Sequence, residues 1–381
     1  MAAQKGKQGI ILVILFNMVL MGICFGQTDR ETIQKNRARA LELVDKYTQA
    51  LDSTVSFIEH YERTGEYRGR FPADHPHYSH HGSKEFRYKP FERGVFKFKE
   101  NKGDYHHEYA WGYFNTDNKN IPEDKPIYRV WIRTEDFSYF NQINKGRQQS
   151  GSATLGKNSR QKIKTPITCY TGPSDLLGYI ASDKRVDVIL RKARRISVRE
   201  KTETIRDSEC FVIDAHTMYG QYSVWVDPEH GYHAAKIRRS AKEGEYFNRP
   251  DRKVPAGSVS TEYLDVLDFK KVDGLWVPVE AKAGSHRTIG SPAYYMDEDK
   301  HYKRTKIILN PDHDRLGSFA DPIFEDPNND PELVNGTTVE IGINEKELRY
   351  TWKDSKLIDE NGTEVDMDDL KELLEAQEKE G

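Results

Sequence analysis

The stretch Glu209–Lys282 constrains the fold of this chain most strongly. It reads Glu209-Cys-Phe-Val-Ile-Asp-Ala-His216, then Gln221-Tyr-Ser-Val-Trp-Val-Asp-Pro228, Tyr232 to Arg239, and Val272-Asp-Gly-Leu-Trp-Val-Pro-Val279. Apolar and polar residues alternate in each piece, and turn residues separate the pieces. Phe211, Ile213 and Ala215 share one side of a strand; Tyr222, Val224 and Val226 share one side of the next, as do Leu275, Val277, Val279 and Ala281. A period of two with one greasy and one wet side predicts antiparallel strands curled over a core or a cavity. No residue in the stretch dictates a reaction.

The N-terminus speaks to location. Lys5 and Lys7 precede an uncharged, mostly apolar run from Ile10 to Phe25, and the chain turns polar at Gln27. This pattern predicts a secretory signal peptide over residues 1–26, cleaved near Gly26. The competing readings are an uncleaved anchor and lipidation at Cys24. A periplasmic or otherwise extracytoplasmic location follows. Removing Lys5 and Lys7 makes a chain of net charge -3 more acidic still, which argues against nucleic acid as a partner. The basic run Arg185, Arg191, Lys192, Arg194, Arg195, Arg199 and Lys201 reads as the solvated face of a helix and its exit, with an anionic-partner patch as the alternative. Cleavage also leaves two cysteines, Cys169 and Cys210, a candidate disulfide in an oxidising compartment.

An 11% aromatic share argues for an ordered chain despite 31% charged residues. Residues 30–51 carry a helical pattern on Ile33, Arg37, Ala40, Leu41, Val44, Thr48 and Leu51. A strand follows over 55–67. His75, His77, His80 and His81 crowd a loop bounded by Pro72, Pro76 and Gly82, but no cysteine accompanies them, and the expectation is no metal site. Phe96 and Phe98 alternate with lysines, and Tyr109, Trp111 and Tyr113 share one side of a long strand; this stripe lines either a cavity or a core. Residues 145–164 read as a mobile loop. Its Gly151–Asn158 stretch falls short of a phosphate-binding loop, because Asn158 stands where a magnesium-holding hydroxyl belongs. Residues 174–180 and 183–193 read as helices. Beyond Asp321 a string of Asp-Pro pairs leads to a hairpin and an acidic helix, a small C-terminal appendage over 321–381.

The order of elements, with Cys210-Phe-Val-Ile-Asp214, Val224-Trp-Val-Asp-Pro228 and Val272-Asp-Gly-Leu-Trp-Val-Pro278, resembles the outer-membrane lipoprotein carrier and sorting superfamily (LolA/LolB-like). The resemblance implies an α+β, mainly antiparallel β fold: a curved, unclosed half-barrel capped by helices, here over 27–320. It also implies an apolar ligand, lipid or lipoprotein acyl chains, held in the concave sheet, with a peripheral relation to the membrane. The lining candidates are Phe96, Phe98, Tyr109, Trp111, Tyr113, Tyr222, Val224, Leu275 and Val277. No Gly-x-Ser-x-Gly, His-Glu-x-x-His or Cys-x-x-Cys occurs, so the expectation is no enzyme and no cofactor. A structural or sensor module that binds a protein partner is the alternative.

Overall fold

The computed structural model describes residues 31–54, 56–71, 85–99, 102–114, 127–133, 137–144, 152–157, 174–180, 184–247, 253–290, 294–320, 323, 333, 335–343 and 346–376. Residues 1–26, expected to be a signal peptide, the His75–His81 stretch, Cys169 and most of the Asp-Pro string lie outside them. Helix α1 (31–52) comes first, followed by β1 (Ser56–Arg70), β2 (Glu85–Lys99), β3 (Lys102–Phe114), β4 (Ile127–Arg133), β5 (Phe137–Asn144) and β6 (Ser152–Lys157). A single 3-10 turn at Ser174–Leu177 and helix α2 (Val186–Arg191) interrupt the strands. The second series is β7 (Arg195–Val198), β8 (Glu203–Ile205), β9 (Ser208–Thr217), β10 (Gly220–Asp227), β11 (His233–Lys242), β12 (Val259–Val272), β13 (Leu275–Thr288) and β14 (Tyr295–Leu309). Strands β15 (Thr338–Ile343), β16 (Lys346–Lys353) and β17 (Lys356–Ile358) precede helix α3 (Met367–Ala376).

All the strands join one large sheet that does not close into a barrel. Its ladder runs from β7 and β8 through β9, β10, β11, β12, β13 and β14 to β1, and then from β2 to β6 and β15 to β17. Strand β1 lies between β14 and β2, which welds the two series into one surface. Among the described residues every ladder is antiparallel except β6 with β15. Mostly antiparallel β with few helices is the architecture expected from the alternating stretches.

Segment 145–164 is a correction. The expected loop contains β6, which pairs with β5 on one side and β15 on the other. Small and polar residues hide such a strand, because they leave no period-two apolar pattern in the sequence. The helices expected over 174–180 and 183–193 shrink to one 3-10 turn and the six residues of α2.

Helix α1 packs on the inner face of the second series. Ala40, Leu43, Val44, Tyr47 and Leu51 recur at helical spacing and are buried with Ile189, Leu190, Ile213, Tyr222, Val224, Ile237 and Leu264. The buried stripe therefore runs through Tyr47 rather than Thr48, and Ile33 is left 66% exposed. Polar contacts fix the helix in place. Arg185 reaches Asp52 (2.7 Å) and Asp187 (2.8 Å), and Thr48 donates to Asp187 at 3.0 Å. A second core gathers Val130, Ile132 and Tyr139 with Val339, Ile341, Trp352, Leu357 and Leu370, so the C-terminal hairpin and α3 cover β4 and β5. Among the described residues no helix is long and apolar enough to cross a membrane.

Candidate functional site

Alternation along β13 puts Leu275, Val277 and Val279 on the inner face that also carries Ala281 and Ala283 of the α1 core. The cluster at this end of the sheet contains no residue of α1. Phe57, Phe96, Val277 and Leu309 form a buried floor, and Phe98, Tyr179, Val272, Leu275, Val279 and Ile307 stand half-buried around it. Phe57 meets Phe96 edge-on at 5.6 Å, and its ring lies 5.5 Å from that of Phe98. The fold thus brings four predicted lining residues, Phe96, Phe98, Leu275 and Val277, into one wall.

The other candidates separate from this wall. Tyr222 and Val224 are 1% and 0% exposed and lie beneath α1, where the concavity is a packed core. Burial pushes the Tyr222 phenol above its ordinary range. Tyr109, Trp111 and Tyr113 share a parity of β3, whose side chains lie outside the described ones. Cys210 is fully buried against Val212, Trp225 and Ala235, and burial pushes its thiol up to about 12. Its proposed partner Cys169 is outside the described residues.

Sequence reasoning missed Phe57, Ile307 and Leu309 in the wall. Phe57 is readable in the alternation Phe57, Glu59, Tyr61 of β1. Ile307 and Leu309 are hidden by a register shift between His60 and Tyr61, which moves β14 to the opposite parity after Arg304.

A buried ion pair sits in the same wall. Arg304 Nε lies 2.6 Å from Glu59 Oε2, with side chains 2% and 0% exposed. Arg304 also donates to the Pro278 carbonyl at 2.8 Å. Burial raises the Glu59 carboxyl to about 7 against the pull of Arg304. Further along the inner face, Tyr302 donates to Asp175 (2.8 Å) and Lys300 pairs with Glu298 at 2.8 Å. Burial pulls the Lys300 ammonium down, but Glu298, Tyr302 and Asp175 outweigh it and hold it above its ordinary range. Near Trp276, burial lowers His233 to about 4.

Glu59 and His233 act on stability in opposite senses. The folded value of Glu59 lies above its ordinary 4.5, so its contribution is full below that pH and is lost as pH rises through about 7. His233 lies below its ordinary 6.5, so its contribution is present above that pH and is lost as pH falls through about 4. Between these limits the two offset one another. Glu59→Gln is therefore expected to lose stability on acidification from pH 7 to 5 more steeply than the parent, by about 1.4 kcal/mol per pH unit. Urea denaturation at several pH values reads this; parallel slopes would refute it.

Beside the small Cys210–Val212–Trp225–Ala235 cluster, the outer face carries polar pairs. Arg199 grips Asp214 through Nε and Nη2 (2.7 and 2.9 Å), and Arg238 donates from Nη2 to both oxygens of Asp265 (2.7 and 2.8 Å). Tyr263 lies across Gly284, where a Cβ would meet its ring at 2.7 Å, and donates to Asp299 at 2.6 Å. Ser223, Arg238, Tyr263, Asp265 and Lys282 line an open groove of about 650 Å³. Among the described residues no group of three or more His, Cys, Asp or Glu is placed to hold a metal ion.

No protein-family model matches the chain, and no curated protein matches it. Among solved structures, a DUF1329 family protein from Desulfovibrio piger aligns with a TM-score of 0.30 and 11% identity, over 77% of this chain and 99% of that one. MucB of Pseudomonas aeruginosa, solved with MucA, aligns with a TM-score of 0.19 and 7% identity, over 72% and 99%. A second MucB structure, in complex with MucA(peri), gives 0.15 and 7%, over 71% and 99%. Superpositions this loose carry no argument about this chain, whose reading rests on its own geometry.

Proposed function

We propose that the chain is an exported, non-catalytic binding protein that holds an apolar ligand, such as acyl chains of a lipid or lipoprotein, at the open end of its half-barrel. The observation that carries this reading is the wall of half-buried Phe98, Tyr179, Val272, Leu275, Val279 and Ile307 over a buried aromatic floor. These partly buried side chains keep some apolar area accessible beside one another, on which an apolar ligand can lie. Each methylene laid against it gains about 0.8 kcal/mol, so a chain of several carbons binds without any directional contact. The resemblance to the lipoprotein carrier superfamily supports the same class of ligand. The wall belongs to the β1–β2–β13–β14 end, while the α1-covered end takes no part.

The test is a titration of delipidated protein with a fluorescent fatty acyl probe. The parent is expected to bind with a gain in fluorescence. Val279→Asp, which places a charge on a half-buried position, is expected to weaken binding by about tenfold or more. A parent that binds no acyl probe refutes the reading, and so does an unchanged Val279→Asp. The protein-partner alternative draws on the polar outer groove beside Arg238 and Lys282; a stable partner in pull-downs that survives Val279→Asp would favour it.

A further inference from the structure

The basic run at 185–201 divides into two sets once its partners are known. Arg185 is bound to Asp52 and Asp187, Arg191 to Asp45 and Thr48, and Arg199 to Asp214 and Glu203. These three tie helices and strands together. The side chains of Arg194 and Arg195 have no such partner among the described residues, and neither does Arg37 of α1. All three line one cavity of about 710 Å³ between the first turns of α1 and the edge strand β7.

The cavity is built rather than incidental. Asn36 of α1 accepts the outward-pointing Val198 N–H at 2.8 Å, which docks the helix on the sheet edge and fixes the spacing between its walls. Thr32, Ser197, Gln221 and His216 add hydrogen-bonding groups to the lining. The one carboxylate in the lining, Asp214, is already neutralised by its two bonds to Arg199 and the hydroxyl of Ser223 at 2.6 Å. Arg37, Arg194 and Arg195 are thus an uncompensated triple positive charge facing one space.

We propose that this cavity binds a phosphate-bearing ligand. The guanidinium fork matches the oxygen spacing of phosphate and carboxylate, and pairs bidentately with either. Three forks on one space call for more oxygens and more charge than a single carboxylate offers; a phosphate supplies three oxygens and up to two charges. Ile33, exposed at the rim of the same cavity, gives an apolar neighbour to such a group. The phosphate comes either free in solution or on a lipid headgroup, and the chemistry at the arginines is the same. This site is separate from the apolar wall and stands or falls independently of it.

Calorimetric titration of the purified protein with pyrophosphate at low salt, beside co-sedimentation with phosphatidylglycerol vesicles and phosphatidylcholine controls, tests the proposal. The parent is expected to bind at least one phosphate probe, with affinity falling as salt rises. Arg37→Gln/Arg194→Gln/Arg195→Gln is expected to bind about 100-fold more weakly. Lys192→Gln/Lys201→Gln, which removes comparable charge outside the cavity, is expected to bind within about twofold of the parent. Pyrophosphate binding identifies a soluble source; binding to the anionic vesicles alone identifies a headgroup. No binding to either probe, an unaffected arginine triple variant, or citrate binding as tightly as pyrophosphate would overturn it.

Discussion

Arg304→Met is expected to lower the unfolding free energy by about 3–5 kcal/mol, and adding Glu59→Leu is expected to recover most of that loss. The pair is 2.6 Å apart, nearly inaccessible, and set among Phe57, Val277 and Leu309. Removing only the arginine strands a carboxylate in an apolar wall and leaves the Pro278 carbonyl without its donor. Replacing both partners fills the same space with carbon, so the desolvation cost of the charges disappears along with their attraction. The pH dependence sharpens the test. Without Arg304, the Glu59 carboxyl has lost the cation that favours its charged form, and protonation relieves the strain. The single variant should therefore lose least at pH 5 and most at pH 8. Urea denaturation of both singles and the double gives the coupling. A double variant as weak as the sum of its singles would show that the two charges are not acting as a pair.

Tyr47→Ala is expected to cost about 3–5 kcal/mol, the range for truncating a large buried ring. Tyr47 is 1% exposed at the centre of the α1 stripe and meets the wall of Tyr222, Val224, Ile237 and Leu264 in the same core. Its backing is tight, since a Cβ on Gly178 would lie 3.2 Å from the Tyr47 hydroxyl. The size of the loss separates two roles for α1. A helix that is part of the core takes most of the sheet's stability with it, whereas a helix that opens for a ligand is anchored weakly and its truncation costs under about 1 kcal/mol. Thermal unfolding with an apolar dye reads both the stability and the newly exposed wall. A small loss together with dye binding before unfolding would restore the Tyr222–Val224 face as a ligand surface.

Much of the sheet was legible because an antiparallel strand with one wet face writes its period of two into the sequence. Phe211 to Ala215 and Leu275 to Ala281 show this directly. The same period cannot say what lies over a face. Tyr222 and Val224 carry the same signature as Leu275 and Val277, yet one pair is sealed by α1 and the other joins the separate Phe57–Phe96 cluster. Only the tertiary placement of a helix more than 150 residues away decides between them. Strand β6 escaped because its Ser, Gly and Lys residues write no apolar alternation into the sequence, and its pairing comes from β5 and β15. The Glu59–Arg304 pair escaped for a different reason: β1 pairs with β14, which lies far along the chain, and the register shift beside His60 breaks the parity that would have predicted it. Arg194 and Arg195 were visible in the basic run and Arg37 in the helical pattern of α1, but which members of the run are free depends on where Asp45, Asp52, Asp187 and Asp214 fall in space.

The central claim is that an apolar ligand lies at the β1–β2–β13–β14 end and not beneath α1. An acyl chain carrying a photoactivatable diazirine, crosslinked to the protein and mapped by peptide mass spectrometry, tests it most directly. The account predicts label on the peptides holding Phe96–Phe98 and Leu275–Val279, with none on 43–51 or 222–226; label concentrated on those latter peptides would contradict it.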